Sequence, residues 1–175
     1  MNVDKNDFEF TQDNIKKAQN AIKKYPKNQQ RSAVIALLDI AQNQNDGWLS
    51  KEAIEYVANM LEMPVIRTYE IATFYTMFNL KPVGKYHIQI CGTTPCWLRG
   101  SDDVKIACEK KLGINCGENG NEKFTITEVE CLGACINAPV VQINNKQYIE
   151  DVTPAKMVDL LENIEKNKSI IPNFK

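Results

Sequence analysis

Four cysteines stand in two close pairs, Cys91 with Cys96 and Cys131 with Cys135, and each pair follows a run that alternates as a β-strand. Tyr86 to Ile90 precedes the first pair, and Phe124 to Cys131 leads into the second. This placement restricts the fold more than any other feature of the chain. If the two strands are neighbours in one sheet, four thiols converge at one sheet edge, which is the ligand set that a 2Fe-2S cluster needs. Two ferric ions, two sulfides and four thiolates carry a formal charge of about −2, becoming about −3 on one-electron reduction. Such charge calls for donors and cations close by. Gly92, Gly100 and Gly133 allow close backbone approach, a helix starting near Leu98 to Ser101 would aim free N–H groups at the cluster, and Arg99 is the adjacent cation.

Other readings of the thiols are weaker. Structural zinc favours C-x2-C knuckles over the x4 and x3 spacings present here. Disulfides do not suit a reducing cytosol, and unrelated buried cysteines would be scattered instead of paired after strands. A Rieske-type centre needs two histidine ligands, and His87 is the single histidine of the chain. His87 reads as a strand residue with a hydrogen-bond partner. Cys108 shares a helical stripe with Val104 and Leu112 and reads as a small buried hydrophobe; Cys116 lies in a glycine-containing loop with no partner at ligand spacing.

The hydrophobic period changes near Lys81. Before it, Ile15, Ala18 and Ile22 form a helical stripe that stops at Tyr25-Pro26, and Val34, Leu37, Leu38 and Ala41 form a second that stops at Asn45-Asp46-Gly47. Ser50 is a plausible N-cap for a third helix burying Ile54, Val57, Ala58 and Leu61. Pro64 suits the start of a fourth, running toward Phe78, in which Ala72 to Phe78 reads as helix core or, alternatively, as a subunit interface. After Lys81 the order is strand, helix (Ser101 to Leu112), strand, a hairpin over Val140 to Ile149, and a final helix opened by Thr153-Pro154 that buries Met157, Leu160, Leu161 and Ile164. Which face of the Phe124 strand is buried stays ambiguous from the pattern. The predicted class is α+β: an N-terminal helical bundle, 1–80, followed by a thioredoxin-like α/β domain, 81–175.

Charge and motif content narrow the function. Lys plus Arg total 21 against 22 Asp plus Glu, with no long block of one sign, which argues against a nucleic-acid partner. The longest apolar run, Ala33 to Leu38, is far short of the roughly 18 residues of a membrane span, and residues 1–7 carry no leader-like pattern, so a bacterial-type cytoplasm is the expected compartment. There is no G-x-G-x-x-G, no phosphate-binding G-x-x-x-x-G-K-[ST] and no second histidine, so no catalytic residue is assigned. These absences leave a one-electron relay that works in a complex and borrows its donor.

At these residues the chain resembles the E-subunit family of bacterial NADH:quinone oxidoreductase, respiratory complex I, homologous to the small flavoprotein-fraction subunit of mitochondria. The resemblance runs from about Tyr25 to Thr153 through YPKNQQRSAVIALLDIAQ, GWLS, YEIATFYTMF, PVGKYHIQICGTTPCWLRGS and VECLGACINAP. It implies one 2Fe-2S cluster ligated by Cys91, Cys96, Cys131 and Cys135. It also implies a larger partner subunit that binds NADH, FMN and a 4Fe-4S cluster, further peripheral-arm subunits, and a place on the cytoplasmic side of the inner membrane without insertion into it. The assembly passes electrons from NADH to quinone and pumps protons. Two departures stand out: Gly92 occupies a place where the family often has Thr, and residues 119–123 replace a commoner T-D-G-like turn. The same module occurs in NAD-linked hydrogenases and formate dehydrogenases, which is the second reading. A zinc-stabilised adaptor without a redox role is a third.

Overall fold

The computed structural model describes residues 8–118 and 120–166. Residues 1–7, on which the leader reading rests, and Asn119 of the 119–123 turn lie outside the described residues. The chain divides into two compact units, Met1–Pro82 and Val83–Lys175.

In the first unit the described residues form helices α1 (Gln12–Ile22), α2 (Val34–Gln44), α3 (Lys51–Met60) and α4 (Val65–Phe74). Two are capped by hydroxyls: Thr11 accepts from the Asn14 N–H and Ser50 from the Ala53 N–H. The stripes of the sequence bury themselves. Ala18, Val34, Leu37, Leu38, Ala41, Ile54, Val57 and Leu61 share one core, with Ile15 and Ile22 partly buried against it. Helix α4 stops at Phe74 instead of running to Phe78. Tyr75 turns to extended backbone, and the buried Gln42 amide takes over the chain beyond it, donating to Met77 O at 3.0 Å and accepting from Asn79 N at 2.7 Å. The Ala72 to Phe78 segment is therefore split: Ala72 and Phe78 enter the core, while Phe74, Tyr75 and Met77 are exposed, so the helix-core reading holds for only part of it.

In the second unit strands β1 (Tyr86–Cys91), β2 (Phe124–Val129), β3 (Val141–Ile143) and β4 (Gln147–Ile149) form one sheet in the order β2-β1-β3-β4. β1 and β2 run parallel, with Cys91 opposite Val129; β3 is antiparallel to β1, and β4 antiparallel to β3. Asn144 and Asn145 both take positive φ, 54° and 56°, as the tight turn between β3 and β4 requires. Helices α5 (Thr94–Leu98) and α6 (Ser101–Leu112) lie between β1 and β2, and α7 (Pro154–Glu165) closes the unit. Val104 and Cys108 of α6 join Met157, Leu160, Leu161 and Ile164 of α7 over Ile88, Ile90, Phe124, Ile126, Val141, Ile143 and Ile149. The ambiguity of the β2 pattern resolves in favour of Phe124 and Ile126 facing this core, with Glu128 exposed. A parallel pair joined through a helix, with an antiparallel hairpin at the edge, is the α/β half of the expected α+β class. Among the described residues no helix is long and apolar enough to cross a membrane.

Candidate metal centre

The parallel pairing of β1 and β2 puts their C-terminal ends side by side, where ligands gather in sheets of this kind. Cys91 is the last residue of β1 and Cys96 lies within α5; both are buried, in a small cluster with Ala138 and Val140. Cys131 follows β2 and Cys135 opens a 3-10 turn, Cys135–Asn137, and both are exposed. The sulfurs of Cys131 and Cys135 are 3.4 Å apart. Two thiolates sharing one tetrahedral metal at ~2.3 Å would be ~3.8 Å apart, so this pair needs little movement to take an iron.

The two pairs face a common set of donors. Burial alone would push the Cys91 thiol up, yet the Thr93 hydroxyl and N–H, the Leu132 N–H and Cys96 bring it below the ordinary thiol range. Cys96 is pushed up to about 11 by burial and by its hydrogen bond to Cys91, against the Val140 N–H. In the exposed pair the Gly133 N–H, 3.4 Å from Cys131 Sγ, lowers the Cys131 thiol, helped by Cys135 and by the Thr93 hydroxyl; the bond to Cys131 raises Cys135. Within each pair the shared hydrogen bond lowers one thiol, Cys91 or Cys131, and raises its partner. Binding a metal takes both protons off, and the N–H donors already in place favour the resulting thiolates.

This donor set fits a dinuclear iron–sulfur centre. Among the described residues no group of three or more His, Cys, Asp or Glu side chains is gathered as one metal ion requires. Two pairs, one for each iron, is the division that a 2Fe-2S cluster calls for.

The remaining residues that the sequence points to fall in different places. The Gly133 N–H touches the Cys131 sulfur, and its φ of +80° is a conformation that glycine adopts without strain. Gly92 donates to Val129 O at 3.1 Å, and a Cβ there would collide with the Glu128 side chain, which Lys105 holds through a 2.7 Å ion pair. Arg99 lies 3.9 Å from Asp151, each more than half exposed. Cys108 is buried in the core against α7, its thiol pushed up to about 12 mainly by burial. His87 is buried on β1 with Nε2 2.8 Å from the Thr127 hydroxyl, and burial pushes its pKa down to about 4.

Helix α5 is not among the elements expected from the sequence. A helix start near Leu98 to Ser101 is correct, since α6 begins there, but the short helix that carries Cys96 escapes that reading. Its signal is present: Thr93-Thr94-Pro95 sets a hydroxyl before a proline in the first turn, the usual mark of a helix start. Thr93 itself escapes it too, as does the tie between the second cysteine loop and residues 150–152. In that tie Asn137 Nδ2 donates to Glu150 at 2.6 Å, the Asp151 N–H to Asn137 O at 2.8 Å and the Val152 N–H to Pro139 O at 3.0 Å.

Known proteins are similar to this chain. The family model of the thioredoxin-like [2Fe-2S] ferredoxin matches residues 18–165. The NADH-quinone oxidoreductase E subunit of Rickettsia conorii is 60% identical over 166 residues, covering 94% of this chain and 99% of that protein. The mitochondrial NADH dehydrogenase [ubiquinone] flavoprotein 2 of Dictyostelium discoideum is 48% identical over 162 residues, covering 92% of this chain and 65% of that protein. Among solved structures an NAD+-reducing [NiFe]-hydrogenase in the air-oxidised state matches with a TM-score of 0.63 at 20% identity, a likeness of fold over 74% of this chain and 23% of the hydrogenase chain.

Proposed function

The chain belongs to the thioredoxin-like [2Fe-2S] ferredoxin family, and from that premise we propose that Cys91, Cys96, Cys131 and Cys135 hold its single 2Fe-2S cluster, the first two on one iron and the last two on the other. The observation that carries the ligand reading is the parallel β1/β2 pair, which brings both thiol pairs to one sheet edge. The function is that of the electron-carrying 2Fe-2S subunit of NADH:quinone oxidoreductase, supported by 60% identity to the Rickettsia conorii protein across nearly the whole of both chains. When bound, the cluster supplies a one-electron acceptor and donor. The chain's own part is to hold four thiolates, to surround them with N–H and O–H donors, and to shield one pair from water while leaving the other at the surface. No residue is assigned to bond-making chemistry.

The proposal extends to domains, partners and place. The two compact units serve as a helical domain and a cluster domain. The electron donor is a larger subunit carrying NADH, FMN and a 4Fe-4S cluster, with other peripheral-arm subunits alongside, on the cytoplasmic side of the inner membrane. Gly92, Gly133 and Arg99 surround the cluster without ligating it. The hydrogenase or formate dehydrogenase reading has only a likeness of fold behind it. Purified protein tests the core of this: two irons and two acid-labile sulfides per chain are expected, reducible by dithionite and not by NADH, with co-purification of the flavin subunit when the two are produced together. Colourless protein with one zinc would overturn the cluster, direct reduction by NADH would overturn the need for a donor subunit, and co-purification with a hydrogenase subunit would favour the second reading.

A further inference from the structure

At four helix starts among the described residues the N-cap is a hydroxyl residue, and three of the four behave alike. Thr11 accepts from the Asn14 N–H, Ser50 from the Ala53 N–H and Thr153 from the Lys156 N–H. Thr93, at the start of α5, makes no such bond. The difference lies in the direction of the side chain. The Thr93 hydroxyl lies 3.3 Å from Cys91 Sγ.

Resting on the ligand reading above, we propose that the Thr93 hydroxyl is a tuning group of the metal centre, donating its hydrogen to the ligand sulfur of Cys91 and raising the reduction potential. A hydroxyl has one hydrogen to give and lone pairs to receive with. Once the Cys91 sulfur is a deprotonated ligand it can only accept, so the hydroxyl must donate. Donation stabilises negative charge on sulfur, and the reduced centre carries one negative charge more than the oxidised one, so the reduced form gains more. The electron comes from an external reductant, and no covalent bond forms or breaks.

The test is a mediated redox titration of the full-length protein, followed by visible absorption and by the paramagnetic signal of the reduced form. Thr93→Val keeps the β-branched shape and removes the hydroxyl. With unchanged iron and sulfide content, it is expected to lower the equilibrium constant for reduction about tenfold, which for one electron is ~60 mV. Thr93→Ser restores the hydroxyl and should restore the potential. An unchanged potential in the valine variant, or an equal drop in the serine variant, overturns the proposal. Thr93→Ala, which also lacks the hydroxyl but adds no bulk, takes the place of valine if that variant holds no iron. Loss of the cluster in both, with retention in Thr93→Ser, would make the hydroxyl a requirement for assembly and would also overturn tuning. Failure of the ligand reading looks different: the unsubstituted chain itself would lack two irons and two sulfides.

Discussion

The two cysteine pairs are equivalent in sequence logic and unequal in structure. Both follow strands that lie side by side, yet Cys91 and Cys96 are 1% exposed and belong to regular elements, whereas Cys131 and Cys135 sit on a loop at the surface. The difference comes from where each strand ends. β1 runs through Cys91, so its thiol inherits the burial of a central strand, and α5 folds Cys96 back beside it. β2 ends at Val129, before its first cysteine, and the loop that follows is tied down by backbone and side-chain bonds to residues 150–152. One end of the site is therefore part of the core, and the other lies at the surface.

The largest effect distinguishes metal from fold. Cys96→Ala and Cys131→Ala should both abolish the cluster, as iron analysis and the visible spectrum would report. The stability of the metal-free chains should part company. The buried substitution leaves a small cavity and costs about 1 kcal/mol, while the exposed one stays within roughly 0.5 kcal/mol. Equal destabilisation in urea titrations would erase the asymmetry on which the comparison rests.

Next in size is the acid sensitivity of the strand that carries the buried pair. His87 lies on β1 with its pKa pushed down to about 4 by burial, against an ordinary value of 6.5. Above about pH 6.5 it is neutral in both folded and unfolded chains and contributes no pH dependence. As pH falls from there toward about 4 the unfolded chain takes a proton that the folded chain refuses. Stability is then lost, by up to about 3 kcal/mol at 1.36 kcal/mol per unit. Unfolding free energies of the metal-free protein measured across this window should show the loss, and His87→Gln should flatten that part of the profile. A profile already flat in the unsubstituted protein would show that the strand opens to admit the proton.

Reactivity should separate the pairs directly. In metal-free protein an alkylating reagent should modify Cys131 and Cys135 faster than Cys91 and Cys96 by on the order of a hundredfold, because the buried pair reacts only through local opening. Peptide mapping at short times reads this. Equal rates would mean that the first pair is buried only while the metal is bound.

The asymmetry also marks the limit of what the sequence carries. The helical stripes, the last helix and the placement of a cysteine pair at the end of each of two neighbouring strands are legible in it, because hydrophobic period and strand-end position are local patterns with one good solution each. The burial of one pair and the exposure of the other are not. They depend on where β2 stops and on α5, a five-residue helix too short to show a period. Helix α4 reads past its true end for a similar reason: the side chain that receives the chain at Met77 and Asn79 is Gln42, from a different helix, and no local pattern announces it. Thr93 is easily passed over because a threonine before a helix is ordinarily a cap.

The smallest expected effect belongs to Arg99, which the sequence offers as the cation beside the cluster. Its guanidinium is 60% exposed and lies 3.9 Å from Asp151, so water and a neighbouring carboxylate both weaken its field at the sulfurs. The sign of its influence survives. Removing a positive charge disfavours the more negative reduced state, so Arg99→Leu should lower the reduction potential, though by less than Thr93→Val, whose hydroxyl touches sulfur directly. Asp151 supplies the opposite arm: Asp151→Asn keeps the shape, deletes a negative charge and should raise the potential by a similarly small amount. Mediated titrations of the two variants check both signs at once, and salt sharpens the result, because a screened surface pair loses its effect at high ionic strength while a hydrogen bond to sulfur does not. A drop for Arg99→Leu as large as that of Thr93→Val, and insensitive to salt, would mean that the guanidinium turns from Asp151 to the sulfurs when the metal is bound, and Arg99 would then join Thr93 in contact with the ligands.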